Sequence, residues 1–238
     1  MAENFVFYAM QARFRARLKT RVLAFGSSNT EHMLPGMHWF EVFELAVLGT
    51  YGRIHQCINT GIGGDSTRNL LARYEGDAAF YRPHLVFITI GGNDSFPHNN
   101  LSEDEFGANL KELHRRFAGM GTAVVFQTYY SPDPARNGDL QKFYGLMEVV
   151  RKVAAETNAG LVDHLRRWEA FRKVFPERYL PMMHDGFHVN RHGNMVMGFD
   201  IARHFGARVG AVEPEFWSEA TAIQKDMDTL VSQQQEMR

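Results

Sequence analysis

Four short blocks of this 238-residue chain hold the residue types that acyl transfer requires. The reaction needs a nucleophile, a base, a group that orients the base, and donors for the developing oxyanion. Ser28 stands where the apolar run VLAF (22–25) breaks into Gly26-Ser27-Ser28-Asn29-Thr30, so its hydroxyl can be exposed on a turn. His188 can take that proton, because imidazole titrates near neutral pH. Asp185 precedes it by three residues, and one turn returns its carboxylate to the ring, where it fixes the tautomer. The Asn93 side-chain amide, the Gly64 N–H and the Ser28 N–H supply oxyanion donors. Taken alone, each has a plainer reading: a turn serine, a turn glycine, an Asx-turn asparagine. Asp94 and Asp65 read as caps, Asp94 of the segment that follows it.

These blocks need a scaffold, and the chain supplies one by alternation. Residues 1–20 read as an amphipathic helix with Phe7, Met10, Phe14 and Leu18 on one face, packed on the domain rather than on a membrane. Strands are expected at 22–25, 53–59, 84–90, 122–130 and 160–165. Helices are expected at 38–49, 66–76, 102–117, 137–158, 190–205 and 213–235. Strands that alternate with helices predict a parallel sheet sandwiched by helices, with right-handed crossovers. In such sheets ligands sit outside the carboxyl ends of the strands. The serine, glycine and asparagine blocks each follow an apolar run directly, and Asp185–His188 follows the last one at a distance, so all four fall on one edge.

FGSSNTEH, INTGIGGDST, GGND and DGFHVNRHGN, taken in order over about residues 21–200, resemble the four conserved blocks of the SGNH, or GDSL-type, hydrolases. The resemblance implies a three-layer α/β/α sandwich with about five parallel strands, flavodoxin-like, here with extra helices at both ends. It implies Ser28, Asp185 and His188 as catalytic, and Ser28, Gly64 and Asn93 as the oxyanion hole. The Asp that usually precedes the nucleophile is Ser27 in this chain. Ser28 is preferred because Thr30 then falls at the family spacing. The expected organisation is an N-terminal helical extension (1–20), a hydrolase domain (21–210) and a C-terminal helical extension (211–238). The expected activity is hydrolysis of carboxylic esters through an acyl-enzyme. A small acyl group is favoured, short-chain or O-acetyl on a carbohydrate, since no long apolar lid is evident. Tyr129 and Tyr130, after the fourth strand, are expected to contact substrate.

Composition limits the alternatives. Net charge is -1, which argues against nucleic acid as partner. The single cysteine, Cys57, permits no disulfide framework within the chain and reads as a buried small hydrophobe. No signal-peptide order and no apolar run of membrane-spanning length are seen, so a cytoplasmic protein without stable membrane insertion is expected. The partner is then a small-molecule ester, and the terminal helices offer surfaces for a homo-oligomer. Two other readings stand beside the esterase. His184, His188 and His192 are spaced by four and could serve a metal-dependent hydrolase with Asp185, although Gly186 interrupts the helix this would need. A non-catalytic binding module on the same fold is the second. Neither a Gly-x-Ser-x-Gly elbow nor a phosphate-binding Gly-x-x-x-x-Gly-Lys loop occurs, and no cofactor or metal is expected.

Overall fold

The computed structural model describes residues 5–208 and 214–236. Five strands form one sheet: β1 (Thr20–Gly26), β2 (His55–Asn59), β3 (Leu85–Thr89), β4 (Ala123–Gln127) and β5 (Gly160–Val162). All pairings are parallel, in the order β2-β1-β3-β4-β5. This is the flavodoxin-like doubly wound order, with its switch point between β1 and β3. The central strand β3, LVFIT, is buried throughout, as a strand covered on both faces must be.

The helices are α1 (Phe5–Arg15), α2 (Trp39–Tyr51), α3 (Thr67–Ala72), α4 (Tyr74–Asp77), α5 (Glu103–Gly119), α6 (Gln141–Thr157), α7 (His164–Val174), α8 (Pro176–Tyr179), α9 (Arg191–His204) and α10 (Pro214–Glu236). The chain groups into two compact units. One holds the residues up to Met33, 51–129 and 139–162; the other holds 34–50, 130–138 and the chain from Asp163 onward.

In the first unit, register assigns the sheet faces. Phe25, Ile88 and Phe126 lie in one row across β1, β3 and β4, and Phe25 meets Phe117 of α5 edge-on, 6.1 Å between centroids. The neighbouring row, Ala24, Phe87 and Val125, points the other way because side chains alternate along a strand. Val125 lies beside Phe7 and Val6 of α1 at Gly160. Helices α5 and α6 therefore cover one face and α1 covers part of the other, a three-layer α/β/α arrangement. Phe7, Met10 and Phe14 of α1 are buried as expected, whereas Leu18 lies past the helix end and is exposed. Cys57, expected to be buried, is only half-buried, because it sits on the edge strand β2.

The second unit is helical. Helix α10 packs on α7 and α9. Gly198 of α9 sits against Val42 and the Trp39 carbonyl of α2, and Phe43 meets Phe205 edge-on at 5.3 Å. Asp200 is buried between Arg167 and His164, whose Nδ1 lies 2.9 Å away. Arg203 reaches Asp228 of α10 at 2.7 Å.

Two expected elements differ. The helix predicted over 66–76 breaks at Arg73, and the strand predicted to run to 130 ends at Gln127. Helix α7 lies where the sequence reading carried the last strand on to residue 165. Asp163 caps it, accepting from the Arg166 N–H at 3.4 Å, and Leu165, Trp168 and Phe171 are buried along its face.

Candidate active site

In the first unit, three loops leave the carboxyl ends of the adjacent strands β2, β1 and β3, and they carry Gly64, Ser28 and Asn93. The turn after β1 closes when the Thr30 and Glu31 N–H groups donate to the Ser27 carbonyl at 2.8 and 2.9 Å. It leaves Ser28 partly exposed and buries Ser27 completely. Of the two serines, only Ser28 offers a hydroxyl to a substrate. The Ser27 hydroxyl is engaged with the Tyr129 hydroxyl at 2.9 Å.

The loop after β2 is fastened to that turn. The Asn59 amide donates to the Thr30 carbonyl at 2.6 Å, and the Gly63 N–H donates to the Glu31 carboxylate at 2.8 Å. A side chain at Gly61 would collide with the Glu31 nitrogen and lie 2.8 Å from Thr30 Cβ, so two backbones pack here without a spacer. Gly64 follows with φ +85, a conformation that favours glycine, and nothing crowds its α-carbon. Its N–H is thus on a loop tied next to Ser28.

Asn93 follows β3 in a short 3₁₀ turn, Asn93–Ser95. Its amide donates to the Asp65 carbonyl at 2.8 Å, next to Gly64 in the chain. An amide nitrogen has two hydrogens, so one is accounted for and the second can serve an oxyanion. The Asn99 amide donates to the Asn93 carbonyl at 2.6 Å and holds the following loop. Arg73 ties these segments to β1: it donates to the Thr60 and Gly26 carbonyls at 2.7 and 3.1 Å, pairs with Asp65 at 2.6 Å, and lies over the Phe25 ring. Asp65 is thus an ion-pair partner and not a cap. Burial pushes its carboxyl up, against the opposing influence of Arg73. Asp94 is fully buried and caps α3, an earlier helix than the one expected, accepting from the Thr67 N–H and hydroxyl at 2.8 and 2.6 Å. Burial raises its carboxyl as well.

In the second unit, Asp185 and His188 form a closed local motif. Asp185 Oδ2 lies 2.8 Å from His188 Nδ1, and Oδ1 accepts the N–H groups of Phe187 and His188 at 2.7 and 2.6 Å. Burial pushes the Asp185 carboxyl up, but these hydrogen bonds outweigh it and hold the group below the usual carboxylate range. An ionised Asp185 at Nδ1 assigns the proton of a neutral His188 ring to that nitrogen, which makes Nε2 the acceptor. The His184 N–H donates to the His188 carbonyl at 2.8 Å, and Met183 pairs with Val189 in an antiparallel bridge. The segment is a tight reversal, so His184, His188 and His192 share no helix face, which removes the spacing argument for a metal site.

Tyr129 and Tyr130 were expected to contact substrate. The structure gives them other work, because their rings are 1% and 0% exposed. Tyr129 packs edge-on against Phe143 at 5.8 Å and engages Ser27. The Tyr130 hydroxyl donates to the Phe187 carbonyl and accepts the Val189 N–H at 3.1 Å, gripping the chain on either side of His188. Sequence reasoning also missed Arg73 and Asn59, which position the loops. The exposed aromatic near this edge is Phe96, 42% exposed and stacked on His98 at 5.7 Å with the rings 19° apart.

Comparison with known proteins agrees with this architecture. The model of the GDSL-like lipase/acylhydrolase family matches residues 11–196. An acetylxylan esterase from Geobacillus stearothermophilus is 29% identical over 163 residues, covering 63% of this chain and 71% of its own. Among solved structures, Axe2, an acetylxylan esterase from the same organism, matches with a TM-score of 0.68 at 22% identity, over 82% of this chain and 98% of its own. An alpha/beta hydrolase enzyme from the metagenome of Lake Arreo matches with a TM-score of 0.69 at 20% identity, over 79% and 96%. With the family match spanning most of its length, the chain belongs to the GDSL-like lipase/acylhydrolase family and is a serine hydrolase of carboxylic esters.

Proposed function

We propose that this chain removes acetyl groups from acetylated carbohydrates, with Ser28 as nucleophile, His188 as general base and Asp185 as the group that orients it. One observation carries the reading: Ser28 presents the accessible hydroxyl on a turn fastened to the Gly64 loop, and Asn93 is bonded to that same loop. The carbohydrate part is supported by the acetylxylan esterase among its relatives and by the exposed Phe96–His98 stack, since an aromatic face suits a pyranose ring. The loop bearing that stack is held to the Asn93 carbonyl by Asn99.

In the first half-reaction His188 Nε2 takes the Ser28 proton as Oγ attacks the acetyl carbonyl carbon. The carbonyl electron pair moves to oxygen, which receives the Gly64 and Ser28 N–H groups and the Asn93 amide. Collapse breaks the bond to the sugar oxygen, and His188 returns the proton to that leaving group. Water then attacks acetyl-Ser28 with His188 again as base, releasing acetate and restoring the serine. Placement in the cytoplasm belongs to the same proposal. Among the described residues no helix is long and apolar enough to cross a membrane, and cell fractionation tests the compartment.

The test of function is a panel of chromogenic esters of increasing acyl length together with acetylated xylooligosaccharides, run on the native chain and on Ser28→Ala. The expected result is a preference for acetyl, release of acetate from the oligosaccharides, and loss of both in Ser28→Ala with the fold kept. Near-normal turnover by Ser28→Ala removes the nucleophile assignment. A preference for long acyl chains removes the acetyl assignment.

A further inference from the structure

We infer that the buried Ser27–Tyr129 hydroxyl pair is a positioning device for the nucleophile turn, standing where relatives commonly place an aspartate. The inference rests on the reading of Ser28 as nucleophile. Its basis is where the Tyr129 hydroxyl sits. It meets Ser27 Oγ at 2.9 Å, one residue before Ser28, and the Gly92 backbone, one residue before Asn93, and the Asn29 side chain, one residue after Ser28, also act on it. The phenol oxygen is therefore bonded to the turn that carries Ser28 and lies beside the loop that carries Asn93.

The tyrosine itself has little freedom. Its ring is buried against Phe143, and its backbone N–H donates to Met147 Sδ at 3.3 Å. Burial pushes the Tyr129 phenol up from its ordinary value, so it stays neutral and keeps its proton. A carboxylate at position 27 could accept but not donate, and it would lie in the same buried region as the carboxyl of Asp94, whose charge acts on Tyr129. A hydroxyl pair does the work without adding a buried charge. Because the pair touches no reacting atom, its effect must come through the placement of Ser28 and Asn93, and small displacements of a nucleophile are costly.

Three variants test this: Tyr129→Phe, Ser27→Ala and the double variant, assayed beside Ser28→Ala. The readouts are kcat and KM on p-nitrophenyl acetate, the rate of fluorophosphonate labelling, and the thermal midpoint. Tyr129→Phe and Ser27→Ala are each expected to lower kcat on the order of 10- to 100-fold, with KM within about threefold and labelling slowed in parallel. The double variant is expected to add little to the Tyr129→Phe loss, because removing the phenol already removes the bond to Ser27. A bond that serves packing alone would lower the midpoint and leave kcat and labelling rate within twofold of the native chain, and that outcome overturns the inference. Should Tyr129→Phe fail to fold, Ser27→Ala removes the same bond from a small side chain and decides the matter. If Ser28→Ala stays active, the underlying assignment has failed. If Ser28→Ala is inactive while folded Ser27→Ala matches the native chain, only the inference has.

Discussion

Replacing Asn93 separates two jobs that one side chain performs. One amide hydrogen is committed to the Asp65 carbonyl at 2.8 Å, and the other is free to meet an oxyanion. Asn93→Ala removes both. Loss of one oxyanion donor costs roughly 10²- to 10³-fold in kcat, or about 2.7–4 kcal/mol of transition-state stabilisation. Loss of the bond to Asp65 costs stability, about 1 kcal/mol, which for a chain of this length moves the thermal midpoint by about 2–4 °C. Asn93→Asp keeps the shape but puts one acceptor oxygen where the nitrogen faced both the oxyanion and the Asp65 carbonyl, so it is expected to be at least as slow as the alanine variant. Steady-state hydrolysis of p-nitrophenyl acetate gives the first quantity, and a thermal melt gives the second. The KM should change far less than kcat, because the donor acts chiefly on charge that develops in the transition state. If folded Asn93→Ala kept kcat within fivefold of the native chain, the oxyanion role would be refuted whatever happened to the melt.

Three further outcomes are expected. Asp185→Asn is expected to lower kcat by up to about 10⁴-fold through the wrong histidine tautomer; because Asp185 is held below the usual carboxylate range, the native chain should keep the ionised form as pH falls to the point where free carboxylates protonate, and equal activity of the two proteins would count against the pair. Burial lowers His204 from 6.5 to about 4, so the folded state resists a proton that the unfolded chain accepts. Stability is then full above pH 6.5 and declines as pH falls toward 4, by roughly 3 kcal/mol at about 1.4 kcal/mol per pH unit; His204→Gln should flatten this decline in denaturant titrations, and an unchanged pH dependence would remove the cause given. Phe96→Ala is expected to raise KM for acetylated xylooligosaccharides several-fold, on the order of the 0.5–1.5 kcal/mol assigned to a ring contact, while hydrolysis of p-nitrophenyl acetate stays near native; equal effects on both substrates would dissociate the ring from sugar binding.

Residues that act through their own type and local spacing were legible in the sequence. Ser28, Gly64 and Asn93 each follow an apolar run, and the parallel sheet explains why their three loops come together. The Asp185–His188 contact is confined to four residues, so one turn of chain specifies it. What could not be read depends on partners far apart in sequence. Arg73 breaks the helix expected over 66–76 while reaching Thr60, Asp65 and Gly26, and nothing near Arg73 announces those partners. The two tyrosines carried an ambiguous signal, since an aromatic after a strand can face solvent or core. Helix α7 has a readable signal, since Asp163 followed by Leu165, Trp168 and Phe171 gives a cap and a three-residue repeat directly after the short strand.

Tyr129 and Tyr130 leave β4 on consecutive residues, one bonded to Ser27 and the other to the backbone flanking His188. A residue inserted between Gln127 and Tyr129 would carry the Tyr129 phenol out of register with Ser27, so this short stretch tolerates no insertion. Burial continues through Ser131, Pro132 and Asp133 and gives way to exposed chain at Pro134. Loop exchange aimed at altering substrate range should therefore be joined beyond Asp133 and should keep Asn137, whose amide donates to the Gly186 carbonyl at 2.6 Å and so holds the chain next to Asp185.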